Sequence, residues 1–374
     1  MEYQLKTRQI CLFFIAFLPL GKFFMMPSVI AGITGEDCWI SVLINILIDF
    51  AVFSVLLYVA KKSDANIYTL LSRSLGKTLS KIVLILYVIY FLLKSVLSIY
   101  EQKEYVESTI YLNAQNVFYF LPFFIAAFFL CVKKLRILGR AADVFFLITL
   151  IGYVLLIALS INNLDLASVL PIGANGFTNI IKGSYKSINW FGDAVYFAFF
   201  IGEFKFGKKD RIKLSLSYVI SCIMTLLFIL VFYSVFTYIS FRQRYALTET
   251  SKYTTVINNL ERFDYFGISC ILLSNVIGAA LPVFFCSKIL CKLIDIKRKW
   301  ITILVLIGIE TILITVFSEY YKSIEDFILN YAGYYYIFMS VILPCCAPLL
   351  IIKKDKNAVE IKPKKEKKNA VYQS

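Results

Sequence analysis

The stretch LPLGKFFMMP, Leu18–Pro27, lies inside an apolar segment that is long enough to cross a bilayer. It holds two prolines, a glycine and a lysine, all unfavourable inside a lipid-embedded helix. An unpaired backbone amide or carbonyl in hydrocarbon costs several kcal/mol, so a broken helix is tolerated only where it contacts protein or lines a cavity. The stretch therefore predicts a discontinuous helix whose unwound part faces the protein interior.

The rest of the 374-residue chain has the composition of an integral membrane protein, with 60% hydrophobic residues and a mean hydropathy of +0.76. Runs of about 18 or more apolar residues predict transmembrane helices. Ten such segments occur, the fourth of them short: 9–32, 37–60, 79–100, 117–132, 141–161, 184–204, 214–240, 266–290, 301–317 and 331–352. The prediction is an all-α membrane domain over residues 1–352 and a basic tail, 353–374, that is too polar to fold.

The distribution of basic residues predicts the orientation in the bilayer. If the N-terminus lies inside, the intracellular pieces hold 29 of the 39 lysines and arginines, which places both termini in the cytoplasm. The net charge of +15 mostly reflects this asymmetry, so it indicates a lipid bilayer and no nucleic-acid partner. Without histidine or a CxxC pair, the sequence predicts no metal site, no cofactor and no enzymatic nucleophile–base arrangement.

Ten helices can form two halves of five, and because five is odd the second half must be inverted. Helices 1 and 6 then correspond. The sixth segment contains SINWFGDAVYFAFFIGE, Ser187–Glu203, with Gly192 and Asp193 between apolar turns. The two most interrupted segments thus occupy matching positions, as in inverted-repeat transporters with discontinuous helices 1 and 6.

Paired helix breaks predict a binding site for a zwitterion. Amides at the start of one half-helix suit a carboxylate, and carbonyls at the end of another suit an ammonium group. We expect Lys22 and Asp193 to adjoin and pair. Alternatively, the Lys22 ammonium substitutes for a bound cation, which would favour sodium-independent behaviour. An amino acid is the expected ligand.

Other polar groups within the predicted helices have two interpretations each. Asp49 and Glu310 are interior groups, either structural or part of a proton relay. Lys94 is expected to reach the outer interface. Ser274, in LLSNVIGAALP of helix 8, is a candidate ligand contact, although polar and small residues there also favour close helix packing.

Two connecting segments are expected to carry short helices. The outer loop 241–264 is polar, and its short helix is expected to act either as a lid or as a connector. The inner link SDANIYTLLSRSLGK places four apolar residues on one helical face: Ile67, Leu70, Leu71 and Leu75.

Several strings in order along the chain resemble the spore germination receptor B-subunit family, within the amino acid–polyamine–organocation transporter superfamily. They are the broken helix at Gly21–Pro27, the stretch Gly35–Ile40 (similar to Gly-x-Asp-x-Trp-Ile), LRILGRAADVFF with Gly139 and Arg140, and NLDLASVLPIGANGFTNIIKGSY with Leu170-Pro171. The string YLNAQNV departs from the family's Leu-Pro-x-Thr-Pro-like stretch after helix 3, and Lys22 adds a cation to the break.

The resemblance implies a non-enzymatic sensor of small nutrients in the spore inner membrane. It implies two partners, an A-type membrane subunit and a C-type lipoprotein, and ligand contact by Gly21, Phe191 and Gly192. The alternative is a proton-coupled amino acid transporter of the vegetative cell membrane, which needs the same pocket. Co-transcription with A- and C-type genes would favour the receptor.

Overall fold

A computed structural model describes residues 5–62, 65–109, 116–252, 264–296 and 298–346. The described chain is almost entirely helical and contains no β-strand within those ranges. The predicted tail, 353–374, and its separation from the membrane domain lie outside the described residues.

The first predicted segment is discontinuous. Helix α1, Thr7–Leu12, continues into a π-helical turn over Phe13–Phe17, then a 3-10 turn over Leu20–Lys22, and helix α2 runs over Met26–Thr34. Pro27 lies in the first turn of α2, where its missing N–H leaves no intrahelical bond unmade. The break therefore falls within the quoted stretch, as the prolines and glycine predict.

Four helices follow with short connections between them. They are α3 (Cys38–Lys62), α4 (Ile67–Thr109), α5 (Asn116–Val132) and α6 (Leu135–Ser160). Helix α4 bends at Gly76, whose φ of +80° lies in the left-handed region that favours glycine. Its first turns form the predicted amphipathic link, because the side chains of Ile67, Leu70 and Leu71 are buried.

The sixth segment is broken as well, but it begins earlier than predicted. Helix α7 covers Phe177–Ser187, a 3-10 turn covers Ile188–Trp190, and helix α8 covers Ala194–Phe200. Gly192 lies between them with φ +94°. The predicted start at residue 184 was too late because the polar first turns of α7 lack the apolar character on which the prediction depended.

The second half ends in further helices, two of them interrupted by π-helical turns. They are α9 (Asp210–Phe236), α10 (Ala246–Lys252), α11 (Asp264–Ile294), α12 (Lys299–Glu319), α13 (Tyr321–Phe327) and α14 (Gly333–Ile337). The π-helical turns follow α13 and α14. Helix α10 confirms the short helix predicted in the outer loop.

Within the described residues, seven stretches of helix are long and apolar enough to cross a membrane. Three predicted segments have no counterpart of their own among them. Segments 9–32 and 184–204 are divided by their breaks, and segment 117–132 contributes a shorter apolar helix over Leu121–Val132. The ten predicted segments are compatible with this result, because each half of a broken crossing is too short to span the membrane by itself.

The two broken segments lie side by side. The half of the first segment that follows its break, α2, packs against the half of the sixth segment that precedes its break, α7, and a Cβ on Gly183 would lie only 2.5 Å from Thr34 Cγ2. On the other side of the breaks, the rings of Phe13 and Phe200 stack with centroids 5.5 Å apart. Helix α11 packs against α4, α5, α6 and α12. This arrangement brings the two breaks together in the protein interior.

Candidate binding site between the two broken helices

A buried ion pair connects the two breaks. The Lys22 ammonium, on a side chain that is 3% exposed, pairs with the Asp193 carboxylate and donates to the Leu18 carbonyl oxygen at 3.2 Å. It also lies 5.2 Å from the centroid of the Phe191 ring. The pairing expected from the sequence is present, and it neutralises each charge where water is scarce.

Asp49 on α3 binds the backbone amides at the start of α8. Its carboxylate oxygens accept from the amides of Gly192 at 3.2 Å, Asp193 at 2.8 Å and Ala194 at 3.3 Å. A half-helix start in the bilayer leaves such amides without intrahelical partners, and an anion stabilises them. Asp49 thus binds the amides that the sequence analysis expected to bind a ligand carboxylate.

Lys94 on α4 binds backbone carbonyls at the same break. Its ammonium donates to the carbonyl oxygen of Asn189 at 2.6 Å and also to that of Phe191. Lys94 therefore points into the protein and not to the outer interface, where the sequence analysis placed it. The Tyr90 hydroxyl donates to the next carbonyl, that of Gly192, at 3.4 Å.

Two backbone carbonyls at the break in the first segment accept hydrogen bonds from the loop that contains α10. The amides of Ala246 and Leu247, at the start of α10, donate to the carbonyls of Phe24 and Phe23 at 3.0 and 3.1 Å. Both donor residues are fully buried. The loop helix is therefore fixed directly to the unwound segment.

A cavity of about 60 Å³ lies between the two breaks. The two broken segments, α4 and α11 all contribute residues to its wall. These residues include Phe17, Leu18, Gly21, Lys94, Ser98, Glu101, Asn189, Trp190, Asp193 and Asn275. A smaller cavity of about 30 Å³ shares part of this wall and extends toward Ile324–Leu329. Trp190 lines both cavities, and its indole donates to Glu101 Oε1 at 2.7 Å.

Two asparagines in the cavity wall carry buried polar atoms that the described protein leaves unpaired. Both the Oδ1 and Nδ2 atoms of Asn189, and the Nδ2 atom of Asn275, have no hydrogen-bond partner among the described residues. Each residue is 1% exposed. Buried polar atoms are usually paired, so these three mark where a bound molecule or water would be held.

The predicted site residues have different positions relative to this cavity. Gly21 and Asp193 line it, while Lys22, Phe191 and Gly192 form the breaks beside it. Ser274 does not line it: its hydroxyl donates to the Cys270 carbonyl at 2.7 Å, one turn earlier.

Sequence reasoning predicted Asp49 to be an interior group without naming its partners, placed Lys94 at the outer interface, and assigned nothing to Asn189 or Asn275. Asp49 and Lys94 had one available signal, because a charge in an apolar helix requires a partner. Asn189 lies within the quoted sixth segment and Asn275 adjoins Ser274. Neither had a feature in the sequence that distinguished it from other polar residues in the helices.

Comparison with known proteins identifies the family. The family model described as "spore germination protein" matches residues 4–326. The chain belongs to that family. It is therefore a multi-pass membrane protein related to spore germination.

Solved structures show that this spore germination protein has a transporter fold. A mutant of the manganese transporter of Eremococcus coleocola superimposes with a TM-score of 0.59 at 10% identity, covering 91% of this chain and 77% of that one. MhsT in complex with L-phenylalanine superimposes with a TM-score of 0.57 at 11% identity, covering 94% and 99%. No curated protein gives a significant match.

The fold and the site together explain why the helices are broken. Two half-helix pairs leave amides and carbonyls in the bilayer interior, and charged side chains from α3 and α4 satisfy those at the sixth segment. The buried polar atoms that stay unpaired in the cavity wall, within the described residues, belong mainly to side-chain amides. Such a site can bind a small polar molecule by hydrogen bonds without metal or covalent chemistry.

Proposed function

We propose that this spore germination protein is the B subunit of a germinant receptor and binds a small nutrient, an amino acid, in the cavity between the breaks. The observation that carries the proposal is Asn189, whose buried amide offers an unpaired donor and an unpaired acceptor to that cavity. A zwitterion needs both kinds of partner. The presence of L-phenylalanine in MhsT, which shares the fold, supports the same ligand class.

The proposed receptor lies in the spore inner membrane with both termini in the cytoplasm. An A-type membrane subunit and a C-type lipoprotein are its proposed partners. Ligand binding would strengthen contacts between the first and sixth segments, and α10, which is attached to Phe23 and Phe24, would carry this change to the outer face. Nucleic acid, metal and cofactor have no part in the proposal.

Binding of L-amino acids to the purified full-length chain tests the proposal. A Cβ on Gly21 meets no atom within 4 Å, so Gly21→Leu would extend into the cavity, whereas Gly21→Ala adds one methyl group. We expect the leucine variant to lose binding by at least about tenfold and to keep its melting temperature, with the alanine variant close to wild type. Equal binding by both variants would exclude this cavity as the site.

A second function, proton-coupled amino acid transport, is favoured by one observation. Glu310 on α12 is 1% exposed, and its Oε2 atom has no hydrogen-bond partner in the described part of the chain. A buried carboxyl group of this kind is a candidate proton carrier. Uptake of radiolabelled amino acid into proteoliposomes under a proton gradient distinguishes the two: accumulation indicates a transporter, and binding without uptake indicates a sensor.

A further inference from the structure

A third and larger cavity lies away from the two breaks, beside the first helix of the chain. Its volume is about 310 Å³, and its wall contains four basic side chains and one carboxylate, namely Lys6, Arg8, Arg136, Arg140 and Asp143. The amide of Gln9 completes the polar lining. The net positive charge of this wall suits an anion, and nothing in the proposed nutrient site uses it.

Three contacts hold the two sides of this basic cavity together. Arg8 Nη2 lies 2.9 Å from Asp143 Oδ1, and Gln9 Nε2 donates to Asp143 Oδ2 at 3.2 Å. Gly139 allows the close approach, because a Cβ there would lie 2.8 Å from both Gln9 Cδ and Leu5 Cδ2. Asp143 is thus engaged with α1, whereas Lys6 and Arg140 form no ion pair with any described carboxylate.

An apolar stripe on helix α6 begins next to this cavity. Arg136 and Arg140 are followed at three- or four-residue intervals by Val144, Leu147 and Ile151, so all five share one helical face. The three apolar side chains are 65%, 61% and 50% exposed. Val154, three residues after Ile151, is 53% exposed and extends the stripe. From Val144 to Val154 the stripe is about 15 Å long, close to half the hydrocarbon thickness of a bilayer.

We propose that this cavity binds the headgroup of an anionic phospholipid, whose acyl chain lies along the α6 stripe. The basic side chains would bind the phosphodiester. The apolar stripe would bind an acyl chain, which a free phosphate lacks. Basic pockets at the ends of transmembrane helices recognise anionic headgroups in this way. A lipid bound there would hold the start of the first broken segment against α6.

Lipid binding to the purified full-length chain tests the proposal, with phosphatidylglycerol, phosphatidylcholine and inorganic phosphate as probes. Native mass spectrometry should show retention of phosphatidylglycerol but not phosphatidylcholine. The variant Lys6→Gln/Arg140→Gln should bind phosphatidylglycerol about 25-fold more weakly, since each cation near an anionic surface contributes about fivefold. Arg140→Lys, which keeps the charge, should stay within about threefold of wild type.

The matched control removes two exposed lysines on the same face, Lys208→Gln/Lys209→Gln, next to Asp210, which accepts from Thr7 at 2.6 Å. It should bind phosphatidylglycerol like wild type. An equal loss in this control would show only general charge attraction and overturn the site. Displacement of the lipid by inorganic phosphate at equal concentration would also overturn it, because the stripe would then contribute nothing.

Discussion

The Asp49 carboxylate accepts a 2.8 Å hydrogen bond from the backbone amide of Asp193, a residue 144 positions later in the chain. Asp49 is 4% exposed and also binds the amides of Gly192 and Ala194. One carboxylate therefore stabilises the whole start of a half-helix in the membrane interior.

Removal of the Asp49 carboxylate should destabilise the protein. Asp49→Ala leaves three buried amides unpaired, each at a cost of about 1–3 kcal/mol. Asp49→Asn keeps an acceptor but loses the charge, so its effect should be intermediate. Thermal unfolding of the purified variants measures the order, with exposed Asp326→Asn as the control. Identical melting temperatures in all four proteins would show that this capping adds no stability.

Removing one partner of the Lys22–Asp193 pair should destabilise the protein strongly, whereas removing both charges should destabilise it little. Lys22→Met leaves the Asp193 carboxylate buried without its ion-pair partner, which costs about 3–5 kcal/mol in comparable sites. The double variant Lys22→Met/Asp193→Asn removes both charges and should recover most of that loss. A double-mutant cycle of melting temperatures measures the coupling. Strict additivity of the two single effects would contradict direct pairing.

Lys94 should keep the break in the sixth segment ordered. Lys94→Met removes the donor to the carbonyls of Asn189 and Phe191, so backbone amides in that segment should exchange hydrogen faster. Lys94→Arg retains a charged donor and should show a smaller increase. Hydrogen–deuterium exchange over 188–194 is the measurement, and Lys182→Met, an exposed lysine on α7, is the control. Faster exchange confined to other segments would refute the assignment.

Gly192 should tolerate no side chain while Tyr90 keeps its hydroxyl. A Cβ on Gly192 would collide with the Tyr90 hydroxyl and approach Ser340 Cβ to 2.9 Å, and the φ of +94° is itself unfavourable for other residues. Gly192→Ala should therefore lower the melting temperature markedly. Adding Tyr90→Phe removes one of the colliding atoms and should restore part of the loss. No restoration would mean that backbone strain alone decides the effect.

The sequence was sufficient to locate both breaks and to predict the ion pair between them. Prolines and a glycine interrupt the first segment, and Gly192 interrupts the second, through effects that reach only a few residues along the chain. Lys22 and Asp193 were recognisable because a charge inside hydrocarbon is costly. Their pairing also required the assumption that the two segments adjoin, and this is the arrangement found.

The strings that resemble the family also have a structural explanation. Asp37 Oδ1 accepts from the Gly173 amide at 2.7 Å, and the Asn175 side chain donates to the Thr34 carbonyl at 3.0 Å. Two strings far apart in the sequence therefore form one contact above the broken helices. The sequence alone did not indicate this contact, because the two strings lie about 140 residues apart.

The sequence by itself determined that the chain crosses a membrane, where its helices break and which charges need partners. Those properties depend on local backbone preferences and on the cost of transfer into hydrocarbon. Only the tertiary structure decided which side chains satisfy the breaks: Asp49 binds the amides, Lys94 binds the carbonyls, and the side-chain amide of Asn189 stays unpaired among the described residues. These assignments depend on how α3, α4 and α11 pack around the breaks, because hydrogen bonds form between neighbours in space.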